Sequence, residues 1–232
     1  MDRMETGSPY GRMPAIAVVL AVKELANAKT RLTDAVPDRE KLVLAMFADT
    51  VDAVRAAGVE HVVVVSPDAD VAAWARHHRL IHISDAERDS SLNAAFALGA
   101  DAARTTDRQL VSIVLLQADI PAVRPAEFAA AIAAARPYPR AVVADRDGTG
   151  TTMLVRQAHI TEDSSFGPGS AAAHRNAGAV DLDPLGQNWP GLRTDVDTLA
   201  DLAAAAELGV GEHTSKWIQA RRSAVARARD AS

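Results

Sequence analysis

The stretch Ser112-Ile113-Val114-Leu115-Leu116, which continues into Gln117-Ala118-Asp119-Ile120-Pro121, indicates the fold class. Its first half is short, continuous and rich in branched apolar residues, as is typical of a strand buried on both faces of a parallel sheet. Asp119 follows this strand directly, at the edge where open α/β sheets bind their ligands. We therefore consider it a candidate site carboxylate. The alternative is that it caps a helix or stabilises a turn.

Predicted strands and helices alternate along the rest of the chain. Short apolar runs predict strands at 15–22, 61–66, 80–83, 111–116, 141–144 and 152–155. Apolar residues at helical spacing predict helices at 39–57, 70–78, 91–104, 126–136, 170–177 and 198–208. This order predicts an α/β, Rossmann-like fold with βαβ units, a mostly parallel sheet and right-handed crossovers.

The length and composition favour a single folded domain. The chain has 232 residues, of which 48% are hydrophobic, and no linker rich in Pro, Gly or Ser divides it. We expect a flexible leader at 1–13, the domain at 14–211, and a basic C-terminal tail or helix at 212–232. That last segment is expected to be a solvated helix, or alternatively a contact with a partner subunit, and the oligomeric state stays open.

Charge and cysteine usage exclude several classes of protein. The formal net charge of −5 argues against a general nucleic-acid binder. No apolar stretch approaches the roughly 20 residues that cross a bilayer, and the N-terminus lacks the apolar region of a signal peptide. Because the chain contains no cysteine, it has neither a disulfide nor a thiolate nucleophile nor a cysteine zinc site. We expect a cytoplasmic protein with no membrane contact.

A second acidic cluster lies far from the first in the sequence. Gly191-Leu192-Arg193 runs into Asp195-Val196-Asp197-Thr198, and we expect these acids also to follow the end of a strand. Acids that converge in one crevice could hold a divalent metal, and a bound metal of this kind favours a phosphate-rich substrate. The alternative is again a cap or a turn. Arg193 either orients Asp195 through a bidentate pair or is exposed.

The loop after the first predicted strand carries three cations, Lys23, Lys29 and Arg31. In α/β sheets this loop is the usual place for phosphate binding. It contains no glycine, so it is neither a Walker loop nor a dinucleotide fingerprint. Together with the acids it favours phosphate binding, whereas alone it could be an ordinary basic surface loop.

Three further sites have both a binding and a structural interpretation. Gly148-Thr149-Gly150-Thr151 could approach a ligand closely or form a plain hairpin turn. In Phe166-Gly167-Pro168-Gly169-Ser170, Ser170 could cap a helix whose end also accepts an anion. Asn93 could cap the helix that begins beside it.

Six segments in this order resemble the guanylyltransferases that make the lactyl or enolpyruvyl diphospho-guanosine precursor of the deazaflavin coenzyme F-420. The segments are Ala21-Val22-Lys23-x-Leu25-x-x-Ala28-Lys29-Thr30-Arg31-Leu32, Leu92-Asn93-Ala94-Ala95, Leu116-Gln117-Ala118-Asp119-Ile120-Pro121, Ala144-Asp145-Arg146-Asp147-Gly148-Thr149-Gly150-Thr151, Phe166-Gly167-Pro168-Gly169-Ser170 and Trp189-Pro190-Gly191-Leu192-Arg193-x-Asp195-Val196-Asp197-Thr198. The resemblance covers about Ala15 to Gly211, and the actinobacterial phosphoenolpyruvate type is the most similar version.

The resemblance implies a single-domain nucleotidyltransferase fold with a mixed central sheet and helices on both faces. It also implies magnesium as cofactor, with Asp119 and Asp195 as ligands and Asp197 sharing or replacing Asp195. The partners would be GTP and phosphoenolpyruvate or 2-phospho-L-lactate, and a downstream transferase that receives the product.

By the same resemblance, the remaining site residues divide between the two substrates. The catalytic cations that hold the triphosphate would be Lys23, Lys29 and Arg31, and Leu92-Asn93 would lie near the guanine. The phosphorylated acid would be held by Thr151, Gly167 and Ser170.

The chain departs from the family pattern at a few positions. Ala118 stands where glycine is expected, Gly169 where an acid is common, and Ala171-Ala172 where a more polar pair is usual. Two other functions stay open: another nucleotidyl- or glycosyltransferase on the same scaffold, and a nucleotide-binding regulatory module without catalysis.

Overall fold

Seven strands form one sheet in the computed structural model, which describes residues 15–29, 32, 36, 38–86 and 91–230. The spatial order is β3-β2-β1-β4-β6-β5-β7. The strands are β1 (Ile16–Ala21), β2 (His61–Val65), β3 (Ile81–Ile83), β4 (Ser112–Leu116), β5 (Arg140–Ala144), β6 (Thr151–Gln157) and β7 (Val180–Asp181).

All of these strands run in one direction except β6, which is antiparallel to both β4 and β5. In the centre, β1 pairs in parallel with β2 and β4, with Leu20 opposite both Val64 and Leu116. The prediction of a mostly parallel mixed sheet is therefore confirmed. The carboxyl ends of β1, β2 and β4 lie side by side at one edge.

Helices cover both faces of the sheet, as expected. They are α1 (Arg39–Ala56), α2 (Ala69–His77), α3 (Leu92–Thr106), α4 (Pro125–Ala135), α5 (Ser170–Asn176), α6 (Pro190–Arg193), α7 (Leu199–Leu208) and α8 (Glu212–Asp230). Along β1 the side chains alternate, so that Val18 and Leu20 share a core with α1 and α4, whereas Ala17 and Val19 share one with α3.

Helix α3 approaches the sheet closely at Gly99. A Cβ atom at this position would lie 2.3 Å from Cγ1 of Val19 and 2.9 Å from Cγ2 of Val65. Only glycine avoids this overlap, because any Cβ would push the helix away from β1 and β2.

The expectation that the second acidic cluster follows a strand is wrong. Residues 190–193 form the short helix α6 instead. Pro190 has a φ angle suited to the first helical position. The backbone N–H groups of Gly191 and Leu192 donate to the Glu127 carboxylate on α4, at 3.3 and 3.1 Å. A side chain distant in sequence thus stabilises this helical turn.

The C-terminal helix α8 is joined to α1 at its first turn. The Asp49 carboxylate accepts hydrogen bonds from the backbone N–H groups of His213 (2.9 Å) and Thr214 (2.8 Å). Trp217 and Ile218 pack against the core. Within the described ranges, no helix combines the length and apolar character that a membrane span requires.

Candidate active site

The two acidic segments meet at the carboxyl edge of the sheet. The backbone N–H of Val196 donates to the carbonyl oxygen of Asp119 at 3.0 Å. This bond holds the segment after β4 beside the segment after α6, although they are far apart in sequence.

Lys29 lies between the two acidic segments. Its Nζ contacts Oδ2 of Asp119 and is 2.5 Å from Oδ1 of Asp197. It follows a single 3₁₀ turn (Leu25–Asn27) after β1 and has a φ of 51°, in the left-handed region that residues other than glycine seldom adopt. The loop after β1 therefore carries its ammonium group to both acids.

Burial and charge shift the pKa values of this cluster in a consistent way. Burial alone would lower the pKa of Lys29, but the charges and hydrogen bonds of Asp119 and Asp197 outweigh it and raise that pKa. Burial, together with the negative charge of Asp119, raises the pKa of Asp195 to about 7. The cluster thus has one fixed cation and an excess of negative charge.

The carboxylates of Asp119, Asp195 and Asp197 have the ligand chemistry that a hard divalent cation requires. Within the described part of the chain, Oδ1 of Asp119 is buried and accepts no hydrogen bond. Carboxylate oxygens are the ligands that Mg²⁺ takes in proteins. No three His, Cys, Asp or Glu side chains among the described residues are grouped as a ready-made metal site. Here the Lys29 ammonium supplies the positive charge between Asp119 and Asp197.

Two adjoining cavities run along this edge of the sheet. The first, of about 390 Å³, is lined by Lys29 and by the three acids Asp119, Asp195 and Asp197. The second, of about 480 Å³, extends toward the loop after β3. They share the exposed residue Lys23 and part of the loop after β1. Arg31, the third predicted cation, lies outside the described residues.

The predicted acid-binding residues cluster at the hairpin between β5 and β6. Residues 145–150 connect β5 to β6, so Gly148 to Gly150 lie in a hairpin turn and Thr151 is the first residue of β6. The Asp145 carboxylate accepts from the backbone N–H groups of Thr149 and Gly150 at 2.9 and 2.7 Å. The N–H of Ala171 on α5 donates to the carbonyl of Thr149 at 3.1 Å. This contact brings Thr151 and the start of α5 into one region.

Ser170 is not the cap of α5, contrary to one of our expectations. The cap position belongs to Gly169, which has a φ of 73°, and Gly167 also has a positive φ, of 133°. Ser170 is the first helical residue, and its hydroxyl is buried with no hydrogen-bond partner among the described residues. A buried hydroxyl without a partner is available to a ligand. None of Thr151, Gly167 and Ser170 lines the two cavities described above.

His174 on α5 determines how the Thr151 hydroxyl is oriented. Its Nε2 is 2.9 Å from the backbone N–H of Ser165, which can only donate, so Nε2 accepts. Burial lowers the pKa of His174 to about 4, which keeps the ring neutral. Nδ1 therefore carries the ring proton and donates to Oγ1 of Thr151, 3.0 Å away. The hydroxyl proton of Thr151 then points elsewhere.

Asn93 has a structural role at the start of α3. Its Nδ2 donates to the carbonyl of Phe166 at 3.0 Å, and its Oδ1 accepts from the N–H of Phe166 and the hydroxyl of Ser164, both at 2.8 Å. The helix cap is Ser91, whose hydroxyl accepts from Ala94. Asn93 therefore positions the segment that leads to Gly167, and it does not line the cavities.

Arg193 neither contacts Asp195 nor is exposed, so both of our expectations for it are wrong. Its guanidinium is buried and donates to the carbonyls of Ala144 (3.2 Å) and Asp145 (2.7 Å), and it pairs with Asp183 at 3.4 Å. It fastens the end of β5 to the loop before α6. The acids that follow α6 are thereby held near the hairpin.

Comparisons with known proteins show the family to which the chain belongs. The family described as "Guanylyl transferase CofC like" matches residues 16–230. The chain belongs to this family. It is 46% identical over 212 residues to the phosphoenolpyruvate guanylyltransferase of Mycobacterium sp. strain KMS, covering 89% of this chain and 93% of that protein. It is 44% identical over 223 residues to phosphoenolpyruvate guanylyltransferase 1 of Rhodococcus jostii, covering 89% and 94%.

Solved structures support the fold assignment of this guanylyl transferase family member. A nucleotidyl transferase from Methanothermobacter has a TM-score of 0.61 at 18% identity, covering 84% of this chain and 97% of that one. The 4-diphosphocytidyl-2C-methyl-D-erythritol synthase of Anaerococcus prevotii has a TM-score of 0.55 at 11% identity, covering 84% and 96%. The predicted nucleotidyltransferase fold is thus confirmed.

Sequence reasoning missed three residues of this family member's site region. Asp85 gives no signal in the sequence, because a single acid in a loop carries no spacing pattern. Asp145 stands out in the sequence only as part of a motif, although its charge contributes to the raised pKa of Asp195. His174 is one of seven histidines in the chain, and nothing in the sequence around it distinguishes it from the others. Its role depends on two hydrogen bonds that exist only in the folded chain.

Proposed function

We propose that this protein transfers GMP from GTP to the phosphate of phosphoenolpyruvate, releasing pyrophosphate and forming a diphospho-guanosine precursor of coenzyme F-420. The observation that carries the proposal is the contact of Lys29 with both Asp119 and Asp197, which gathers three distant segments in one cleft. The names of the curated relatives support the choice of substrates.

In the proposed reaction, a phosphate oxygen of the acid attacks the α-phosphorus of GTP. A new P–O bond forms as the bond from the α-phosphorus to the bridging oxygen breaks, and the electron pair leaves with pyrophosphate. The attacking oxygen is already anionic, so no general base is needed. Catalysis then consists of in-line positioning and stabilisation of charge.

The cations of the loop after β1 act on the triphosphate in this proposal. Lys23, Lys29 and Arg31 bind it and stabilise the departing pyrophosphate. Asp119, Asp195 and Asp197 would hold Mg²⁺, which when bound supplies Lewis-acid polarisation and neutralises phosphate charge. The unpartnered Oδ1 of Asp119 supports this role.

The hairpin and the start of α5 hold the acid substrate in this proposal. Because His174 donates to Oγ1 of Thr151, the threonine hydroxyl is free to donate its own proton to a phosphate or carboxylate oxygen. The buried hydroxyl of Ser170 provides a second donor. Gly167 allows the backbone to come close.

A competition assay tests the reaction and the choice of acid together. Phosphoenolpyruvate, 2-phospho-L-lactate and 3-phosphoglycerate at equal concentration compete for one pool of GTP with Mg²⁺, and the products are identified by mass spectrometry. We expect the enolpyruvyl product to dominate. The Asp119→Asn variant should keep its circular dichroism spectrum and release no pyrophosphate.

Several results would contradict the proposal. Activity close to wild type in Asp119→Asn would remove the metal role from Asp119. Turnover of CTP or a UDP-sugar in place of GTP would indicate another transferase on this scaffold. Tight GTP binding without release of pyrophosphate, with any of the three acids, would indicate a regulatory module.

A further inference from the structure

A buried carboxylate lies outside the acidic cluster and has no role in the proposed reaction. Asp85, on the loop between β3 and α3, is only 7% exposed. Its Oδ1 is buried and accepts no hydrogen bond from the residues that the structure describes. A buried carboxylate oxygen without a donor is costly, so Asp85 is a candidate acceptor for a ligand.

Asp85 lines the second of the two cavities. Pro67, Leu92 and Ala95 provide apolar walls there, as suits the faces of a planar ring. This cavity continues into the first one past Lys23. A nucleotide whose phosphates lie near Lys23 and Lys29 would therefore extend its base toward Asp85.

The hydrogen-bonding edges of the four bases differ in how they meet a carboxylate. Guanine presents two neighbouring donors, N1–H and the 2-amino group, which match the two oxygens of a carboxylate. Adenine and cytosine place an acceptor beside their amino donor. The N3–H of uracil lies between two carbonyl oxygens, and these repel a carboxylate.

We infer that Asp85 is the residue that selects guanine, by accepting hydrogen bonds from N1–H and the 2-amino group of GTP. This inference rests on the proposed function, because it presupposes that GTP is the nucleotide used. It adds to that function a specificity-determining residue that lies away from the reacting phosphates.

The test compares GTP, ITP and XTP as substrates of the wild-type protein and of Asp85→Asn. ITP lacks the 2-amino group, so the wild type should use it with a kcat/KM about 10- to 100-fold lower than that for GTP. XTP carries a carbonyl in place of that group and should be poorer still. The amide of Asp85→Asn offers one acceptor and one donor, which match N1–H and the 2-carbonyl of xanthine. Its kcat/KM should fall about 10- to 100-fold for GTP and rise for XTP.

Glu24→Gln is the matched control, because Glu24 is a second carboxylate among the described residues that line this cavity. Its side chain is exposed and accepts from Nδ2 of Asn27 at 2.6 Å. We expect this variant to keep the wild-type ratio of GTP to XTP use. Asp101→Asn, at an exposed position on α3, controls for the loss of one negative charge elsewhere.

The experiment distinguishes a failure of the proposed function from a failure of the inference about Asp85. If the wild type releases no pyrophosphate from GTP, the proposed function fails. If it does, and Asp85→Asn lowers kcat/KM equally for GTP, ITP and XTP, Asp85 binds the ribose or supports the loop, and the inference is overturned. If Asp85→Asn fails to fold, the wild-type protein still tests the inference. Equal kcat/KM values for GTP and ITP would overturn it.

Discussion

The positive charge of Lys29 compensates the three neighbouring acids to different extents. Lys29 contacts Asp119 and Asp197, whereas Asp195 receives only the long-range effect of that cation and the repulsion of the neighbouring acids. Burial adds to this repulsion. Asp195 is therefore the acid whose ionisation the folded protein opposes, and binding of a cation would relieve that opposition.

Asp195 should make the metal-free protein less stable as the pH rises. Its pKa is about 7 in the folded protein against an ordinary value of 3.8, so the folded state retains a proton that the unfolded chain has released. The free energy of unfolding therefore falls between about pH 4 and pH 7. At about 1.4 kcal/mol for each pKa unit, this effect has an upper limit of about 4 kcal/mol.

The Asp195→Asn variant removes this effect, since an amide does not titrate. In urea unfolding with EDTA, its stability advantage over the wild type should grow from pH 5 to pH 8. Asp101→Asn, which alters an exposed carboxylate, should stay within about 0.5 kcal/mol of the wild type. If the difference in the free energy of unfolding between Asp195→Asn and wild type is the same at pH 5 and pH 8, Asp195 does not have a raised pKa in the folded protein.

At the scale of elements, the attachment of α8 depends on one carboxylate of α1. Asp49 satisfies two backbone N–H groups at the first turn of α8, at 2.9 and 2.8 Å. The first N–H groups of a helix have no partner within the helix, so a carboxylate here both caps them and favours the positive end of the helix dipole. Gly211 just before α8 allows this approach, because a Cβ there would lie 2.4 Å from Oδ1 of Asp49.

Asp49→Asn should lower the free energy of unfolding by about 1–3 kcal/mol, because the amide can accept at only one of its two ends. Asp52→Asn is the matched control on the same helix. Asp52 is exposed and pairs with the His213 side chain at 3.2 Å, so its loss should cost about 0.5 kcal/mol or less. Urea unfolding followed by circular dichroism measures the free energy of unfolding of both variants. Equal decreases in Asp49→Asn and Asp52→Asn would show that the Asp49 carboxylate does not stabilise the start of α8.

The elements differ in how well the sequence predicts them. Helices α1 to α4 and the strands between them lie close to their predicted bounds, because each carries its own apolar period. Strand β7 has two residues, too few for any period to appear. Helix α6 depends on Glu127, which belongs to another element, so nothing within residues 190–193 predicts the contact.

At the scale of the whole molecule, the candidate site is a junction of segments that the sheet brings together. One segment follows β1, one follows β4, and one follows α6, and they meet through Lys29 and through the bond from Val196 to Asp119. A ligand that binds across this junction binds only the folded chain. It should therefore stabilise the entire domain.

GTP with Mg²⁺ should raise the melting temperature of the wild type. At about 100 times the dissociation constant the gain is about 2.7 kcal/mol, which corresponds to roughly 5–10 °C for a domain of this size. Asp197→Asn should lose most of this shift, whereas Asp101→Asn should keep it. Differential scanning fluorimetry measures all three proteins. An undiminished shift in Asp197→Asn would separate that residue from nucleotide binding.

The amino-acid sequence alone predicted the fold class, most element bounds and the two acidic clusters, because these depend on local apolar periods and on motifs that are contiguous in the chain. The partners of Arg193, Asn93 and His174, and the buried position of Asp85, required the folded chain. Each of them depends on contacts between elements that are distant in sequence. A side chain finds such partners only after packing has brought the elements together, so no pattern within one segment encodes them.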